Sequence, residues 1–435
     1  MTMTDTTQQI PAGALFDVPG VGSQTQWFDD TFEPTQNLAL TWSQGSQSNV
    51  NGIQQFKQTD VVTDWLMEVQ ISYNFTAGAA MTLTPSPYAP HNFIGAVLLN
   101  IQNQYNSLNC PLGGIDVYIF NLLRPTFRQT AQNILGFAPS GGGAGSVNFG
   151  YPSAINGQVN LLQGGTNAQF PSTTLPGGTS ATGTFSLYYR IPASQVLDVY
   201  YNLVGAPGAN TASWDGTPPH QAYVSPQYMA GTARVITPQL TLAPLLTAQG
   251  DVSPYSKASA DVLSTATATG TLTFKRRGVY SSNSPATAPA PYNWQYSQAT
   301  TKFSINGTTQ ATIILPQNTG QVLGCYVRMW DPVANAPIQL SALTNIQYQF
   351  GSAVLRFNGT PQEWVSWWFR SGHRVLLPPG VFCFDSALDE HQQISNKRLP
   401  NTLTTTGIQI QLTFAAPTSA QAYAVLGTES LVLVA

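Results

Sequence analysis

Charge is what this sequence has least of. Only 8% of its 435 residues are Asp, Glu, Lys or Arg, where a soluble domain usually carries about 25%. The formal net charge is −3, from 16 basic and 19 acidic residues. The one basic run, Lys275-Arg276-Arg277, is too short to neutralise a nucleic-acid backbone, so direct nucleic-acid binding is not expected. The trio reads instead as the end of a strand on a solvated rim. A surface this poor in charge keeps a large free monomer in solution only weakly. Burial of much of that surface in an assembly resolves the difficulty.

Cysteine is scarce too. Cys110, Cys325 and Cys383 are odd in number and far apart. They form neither a disulfide framework nor a metal-ligand spacing, and read as small buried hydrophobes. No apolar run approaches the 18 or so residues of a membrane span. Met1-Thr2-Met3-Thr4-Asp5 has no basic region leading into an apolar one, so no signal peptide is expected. The sequons at Asn74, Asn306 and Asn358 then read as chance matches in turn-rich sequence.

Motifs of catalysis are missing as well: there is no Gly-x-Ser-x-Gly, P-loop or His-Glu-x-x-His. The histidines are His91, His220, His373 and His391. Asp385, Asp389, Glu390 and His391 cluster after a strand, which suits a metal or acid–base site. The glycines and spacing of a calcium loop are absent, so a solvated loop is expected there. Asp29, Asp30 and Glu33 could form a glycosidase-type carboxylate set, but they lie near an irregular terminus. The sequence therefore assigns no catalytic, cofactor-binding or metal-binding residue, and neither an enzyme nor a cofactor is expected.

What is present is the vocabulary of β-structure. Aromatics make up 11% of the chain, beside 37 glycines and 31 prolines. Thr, Val, Tyr and Phe favour strands, and Gly, Pro and Asn favour turns. Trp65, Met67, Val69, Ile71, Tyr73 and Phe75 alternate strictly and predict a strand, followed by a turn at Ala77-Gly78 and a strand near 81–84. Residues 92–100 read as strand or buried helix, and 113–123 fit a helix better than a strand. Long loops are predicted over 136–180 and 203–230, with strands at 185–191 and 234–242 between and after them. Residues 244–260 lack periodicity and read as a linker. A second β series is predicted after it, from 271–274 through 302–305, 311–315, 322–330, 346–350, 354–357, 380–384 and 408–414 to two short strands in 422–435. A loop covers 280–298, and Asn306-Gly307 marks a turn.

One helix stands out in that series. Thr360 and Glu363 form a capping box around Pro361 at the tolerant first position, and Gly372 sits where a left-handed terminator is wanted. Trp364, Trp367 and Trp368 fall at i, i+3 and i+4 and make one heavy aromatic face. A plug between strands is the expected role, with at least two rings buried and the third reaching a neighbouring subunit.

Each half thus has strands, a short helix late in the series, a loop and final strands. The expected fold is all-β: an N-terminal arm over 1–30, a first jelly-roll β-sandwich over 31–250 and a second over 251–435. Four stretches also resemble the double jelly-roll major capsid proteins of tectiviruses, in the adenovirus-hexon lineage. They are Trp65–Phe75 with Met81–Thr84 and Tyr88–Ile94, Gly183–Pro192, the Trp helix running into Leu377–Asp385, and the pair Gly407–Phe414 and Tyr423–Leu433. Their order and spacing match that family over roughly residues 35–435.

The resemblance implies a homotrimer that forms a pseudo-hexagonal capsomer of an icosahedral virion, from a membrane-containing bacteriophage. Its implied partners are neighbouring capsomers, vertex and minor capsid proteins, and an internal membrane reached through the arm. The protein would be made in the host cytoplasm. A carbohydrate-binding or carbohydrate-active β-sandwich is the competing reading, because many Trp and Tyr residues with little charge also suit sugar binding.

Overall fold

The structure, a computed structural model, describes residues 25–27, 33–43, 49–51, 54–56, 60–88, 91–101, 112–123, 173–175, 180–192, 196–197, 222–223, 234–243, 246–247, 250–252, 255–256, 263–281, 294–316, 321–351, 354–370, 377–385 and 407–433. The expected arm before Thr25 and most of the loops at 136–180 and 203–230 lie outside these residues. So do Asp29, Asp30, Cys110, His220, Gly372, His373, Asp389, Glu390 and His391.

The first half supplies β1 (Glu33–Ser43), β2 (Asn49–Asn51), β3 (Gln54–Phe56), β4 (Asp60–Ala77), β5 (Ile94–Ile101), α1 (Gly114–Leu123), β6 (Ser180–Pro192), β7 (Arg234–Leu242) and β8 (Leu263–Ser281). One antiparallel sheet runs β1-β8-β4-β6. In the other, β7 pairs with β2 and β3 and with β5, and Leu112 bridges to Val97 of β5. With β2 and β3 taken as one interrupted strand and Leu112 as the stub of the fifth, the strand positions read 1-8-3-6 and 2-7-4-5.

The second half supplies β9 (Trp294–Ser304), β10 (Gln310–Ile314), β11 (Gln321–Asp331), β12 (Leu343–Phe350), β13 (Val354–Gly359), α2 (Pro361–Arg370), β14 (Val381–Asp385), β15 (Gln409–Phe414) and β16 (Tyr423–Leu433). Its sheets run β9-β16-β11-β14 and β10-β15-β12-β13, all antiparallel. In strand positions that is again 1-8-3-6 and 2-7-4-5. Both halves are jelly rolls, with a helix between positions five and six in each.

Strand pairing carries the first sandwich past residue 250. β8 was expected to open the second series. It pairs with β1 from Ser43 to Glu33 and with β4 from Ala77 to Asp60, so it is position eight of the first jelly roll. By hydrogen bonding, the change of sandwich falls within 282–293. Within the stretch expected as a linker, Leu246–Thr247 pairs with Tyr255–Ser256, which pairs in turn with Thr84–Pro85 of the first half. Lys275-Arg276-Arg277 does not end its strand either; β8 continues to Ser281. Thr25–Trp27 pairs antiparallel with Val279–Ser281, so this end of the expected arm lies on the chain's own sheet.

Smaller differences follow the same logic. Residues 92–100 become a 3-10 turn, His91–Phe93, and then strand β5. β9 begins at Trp294, inside the stretch expected as loop. The closing stretch is one strand, β16, rather than two. Gly427 does not break it: a Cβ there would overlap the Tyr326 ring of β11.

α2 joins β13 to β14, each the last strand of its sheet, and so closes that side of the second sandwich. Its capping box is formed: the Thr360 N–H donates to Glu363 Oε2 at 2.7 Å, and the Glu363 N–H donates to Thr360 Oγ1 at 3.3 Å. Trp364 and Trp368 are fully buried and Trp367 is 9% exposed. All three rings therefore lie within the chain's own core, and the third is not left free for a neighbour. The Trp364 indole N–H donates to the Cys383 carbonyl at 3.1 Å. Trp364 stacks on Trp368 with ring centroids 5.7 Å apart, and Trp367 lies 5.5 Å from Phe384.

Replacing Trp368 by alanine should cost about 3–5 kcal/mol, and Thr360→Ala about 1 kcal/mol through the lost cap. Denaturant unfolding of the two variants checks both. An unshifted transition in Trp368→Ala would mean that the ring is not part of the core.

Candidate functional site

The most elaborate side-chain cluster among the described residues lies on the seam between the two sandwiches, and α1 is its centre. All ten α1 residues are buried. The helix rests on β5, β6 and the His91–Phe93 turn of its own half. Gly114 opens it because a Cβ there would overlap the His91 carbonyl oxygen.

From its first turn, Asp116 reaches the second half. Its Oδ1 accepts from the Tyr326 hydroxyl at 2.6 Å and from Arg328 Nε at 2.7 Å. One turn on, Phe120 meets the Tyr326 ring edge-on at 5.1 Å. A carboxylate in the first turn of a helix is also favoured by the helix dipole.

β11 provides the facing surface. Cys325 lies opposite Phe384, whose ring stacks on Tyr348 of the opposite sheet at 4.5 Å, so it points into the second sandwich. Strand alternation then turns Tyr326, Arg328 and Trp330 outward, toward the first. Residues Val322–Val327 are buried without interruption, as in a strand covered on both faces.

Around this pair the seam is stitched by single contacts. The Tyr88 hydroxyl donates to the Pro379 carbonyl at 3.2 Å, and its ring lies 5.5 Å from Trp330. The Gly250 N–H donates to Asn335 Oδ1 at 2.7 Å. The Gly250 carbonyl accepts from Asn92 Nδ2 at 3.0 Å and from the Ser86 hydroxyl. Asn335 takes a left-handed conformation, φ 49°, which Asn tolerates better than most residues.

Burial sets the protonation states. It opposes the charge on Arg328, but Asp116, Tyr326 and Tyr88 around it together outweigh burial and leave the guanidinium pKa above its ordinary value. Burial lifts the Tyr88, Tyr189 and Tyr326 hydroxyls and pushes the Cys325 thiol up to about 12. His91 is driven the other way by burial, to about 3. Its ring stacks on Tyr118 at 3.9 Å, and its Nδ1 lies 3.0 Å from the Tyr189 hydroxyl. Near neutral pH these thiols and phenols stay protonated and His91 stays neutral. The arrangement can bind two halves together; it offers no thiolate, and no base poised near pH 7.

Among the described residues, no three His, Cys, Asp or Glu side chains are grouped to hold a metal. Of the Asp385–His391 cluster only Asp385 is described. It is not on a solvated loop: it ends β14, is 1% exposed and sits opposite Gly324. Glu33 begins β1. Cys325 and Cys383 are free and buried.

Asp116, Arg328, Tyr326 and Tyr88 were not singled out from the sequence. A signal was there. In a chain with so few charges, one carboxylate inside an apolar helix and one guanidinium inside an apolar strand are candidates for each other.

No family model matches this chain, and no curated protein matches it. Solved structures of viral major capsid proteins are similar to it. The capsid protein of Sulfolobus turreted icosahedral virus shares 12% identity at a TM-score of 0.46, over 91% of this chain and 97% of its own. VP54 of PBCV-1, fitted into a reconstruction of the virophage Sputnik, shares 12% at 0.45, over 91% and 94%. P2 of bacteriophage PM2 shares 8% at 0.38, over 90% and 97%. The double jelly roll is read from this chain's own strand order.

Two outcomes test the seam. Arg328→Leu strands a buried carboxylate and should cost about 3–5 kcal/mol, while Arg328→Leu with Asp116→Leu should recover much of that. Urea unfolding of both checks it. The second test uses pH. His91 takes a proton only near pH 3 when folded, but near 6.5 when unfolded. The unfolded state therefore gains the extra proton between those values, and stability falls as pH drops through that window. Between pH 7 and 4.5 the loss should be on the order of 2–3 kcal/mol. His91→Phe should be flatter over the same interval; equal slopes would refute the buried neutral histidine.

Proposed function

We propose that this chain is the major capsid protein of an icosahedral virus, a structural subunit rather than an enzyme. The observation that carries the reading is the repetition of one jelly-roll strand order, twice in one chain, with the two copies fused by a buried seam. Three such chains around a threefold axis set six similar sandwiches in a ring. That gives a hexagonal outline without sixfold symmetry, which is what a shell tile needs. The resemblance over residues 35–435 and the charge-poor composition point the same way.

On this reading the chain forms a homotrimer that abuts neighbouring capsomers, vertex proteins and minor capsid proteins. The host is a bacterium, and the shell encloses a membrane that the N-terminal segment approaches. The protein resides in the virion after synthesis in the host cytoplasm and makes no direct contact with nucleic acid. We divide the chain into a short N-terminal arm, a first sandwich ending at Ser281 and a second starting at Trp294.

The sugar-binding alternative loses its best candidate platform. Trp364, Trp367 and Trp368 are all core residues, so none presents a face to a ligand.

Light scattering and electron microscopy of the purified protein test the proposal. Trimers with a hexagonal outline are expected, and a stable monomer that binds a polysaccharide would overturn it. Deleting residues 1–24, which spares the Thr25–Trp27 strand, should leave the trimer intact and impair shell formation. Failure of the trimer itself would place those residues in its core.

A further inference from the structure

We infer that the seam encloses a bound water molecule, hydrogen-bonded by Arg328 and Trp330 of β11 and by Asp251 of the chain that leads into β8. Three polar atoms mark the place. Arg328 Nη1, Trp330 Nε1 and Asp251 Oδ1 are each buried, and none has a hydrogen-bond partner among the described residues. Asp251 as a whole is 7% exposed and Trp330 1%. A buried polar group that has given up solvent costs stability until it finds another partner, and charged groups cost most.

Tyr88 gathers the three. Its ring lies 5.5 Å from the Trp330 ring and 5.9 Å from the Arg328 guanidinium carbon. The chain around Tyr88 also holds the residue before Asp251. The Ser86 hydroxyl donates to the Gly250 carbonyl, and the Tyr88 N–H donates to Ser86 Oγ at 3.1 Å. Gly250 in turn lies against Trp330: a Cβ on it would sit 3.6 Å from Cη2 of that ring. Arg328 and Trp330 are two residues apart on β11 and share a face. Asp116 takes only Nε and Nη2 of Arg328, which leaves Nη1 for something else. Burial raises the Asp251 carboxyl pKa, and the Arg328 guanidinium is the chief influence opposing it. The two groups are therefore close, yet Asp251 Oδ1 and Arg328 Nη1 do not bond.

The chemistry of the occupant follows from these neighbours. It must accept from two N–H groups and donate to a carboxyl oxygen. A simple cation cannot accept, and a halide cannot donate. The charges balance as well. Arg328 and Lys302 draw the Asp251 pKa down and Asp116 pushes it up, so with Asp251 itself there are two of each sign. A small neutral molecule that both accepts and donates fits, and water is the smallest. Buried waters typically make about three hydrogen bonds to groups the protein leaves unmet. One enclosed water is not bulk solvent: it takes up the nitrogen that Asp116 leaves and cannot rehydrate the ion pair. Asp116 thus joins the halves directly, and Asp251 joins them through an exchangeable molecule. The site does not depend on how the chain assembles.

High-resolution crystallography of the full chain, with a second crystal soaked in sodium bromide, reads the occupant. The expected result is a peak about 2.7–3.2 Å from Asp251 Oδ1 and from both nitrogens, without the anomalous signal of bromide. Oxygen-17 relaxation dispersion of the solvent then counts long-lived internal waters in solution. Asp251→Leu removes the acceptor and fills its space with methyl groups, and Trp330→Phe removes one donor. Circular dichroism first establishes that each variant is folded. Asp251→Leu should lose one long-lived water relative to wild type. Trp330→Phe should release its water about tenfold faster, because one hydrogen bond is gone.

A dry seam would overturn the inference, as would a direct contact between Asp251 and Arg328. Bromide at the site would make it an anion site instead. A peak in the crystal with equal water counts in wild type and folded Asp251→Leu would mean a water ordered by the crystal only, which also refutes the site. If a variant does not fold, the wild-type crystal decides.

Discussion

A buried ion pair between Asp116 and Arg328, 2.7 Å apart, is the constraint on which the joining of the two sandwiches depends. Neither group has water to fall back on. Removing charges from water costs several kcal/mol each, and only good geometry with further hydrogen bonds offsets that cost. Here Tyr326 supplies the further bond, and Tyr88 and Phe120 supply the walls. The pair is therefore demanding about position. It tolerates one placement of α1 against β11, where an apolar contact would tolerate several. In a chain with so few charges, one of each sign spent here fixes how the two sandwiches face each other.

The helix between positions five and six illustrates how one topological element serves two purposes. In the second half it is amphipathic: Gln362, Glu363 and Ser366 face water while the tryptophans fill the gap between the sheets. In the first half it is buried all round, since one side meets its own sandwich and the other meets its neighbour. The sequences say as much. α2 alternates polar and aromatic residues at helical spacing, whereas α1 is an almost unbroken apolar run. A helix that is apolar on every side belongs inside a structure.

Much of the fold was legible because alternation and capping are local. The strict period over Trp65–Phe75, the box at Thr360 and Glu363 and the apolar run after Gly113 each specify an element without reference to the rest of the chain. What escaped was non-local. Nothing within Leu263–Ser281 tells which half it pairs with, because its partners lie some 200 residues earlier in β1 and β4. The seam was invisible for the same reason. Asp116 and Arg328 are 212 residues apart, and each alone reads as an oddity in an apolar segment. Asp385 was misplaced because a carboxylate at a strand end suggests water, whereas this one is buried at the end of β14, opposite Gly324.

β8 pairs with β1 on one side and β4 on the other, so it is an interior strand of its sheet although it comes last in its jelly roll. During synthesis the principal sheet of the first sandwich must therefore wait for residue 281 to leave the ribosome. Until then β1 and β4 each expose an unsatisfied edge. The residues just before β8 are also tied at Gly250 to Asn335 of the second half, which is made later still. Loops of this length must close before their contacts give any return, and that slows folding. This connectivity opposes strict maturation of one sandwich after the other, and the nascent chain carries open strands of the kind that chaperones recognise.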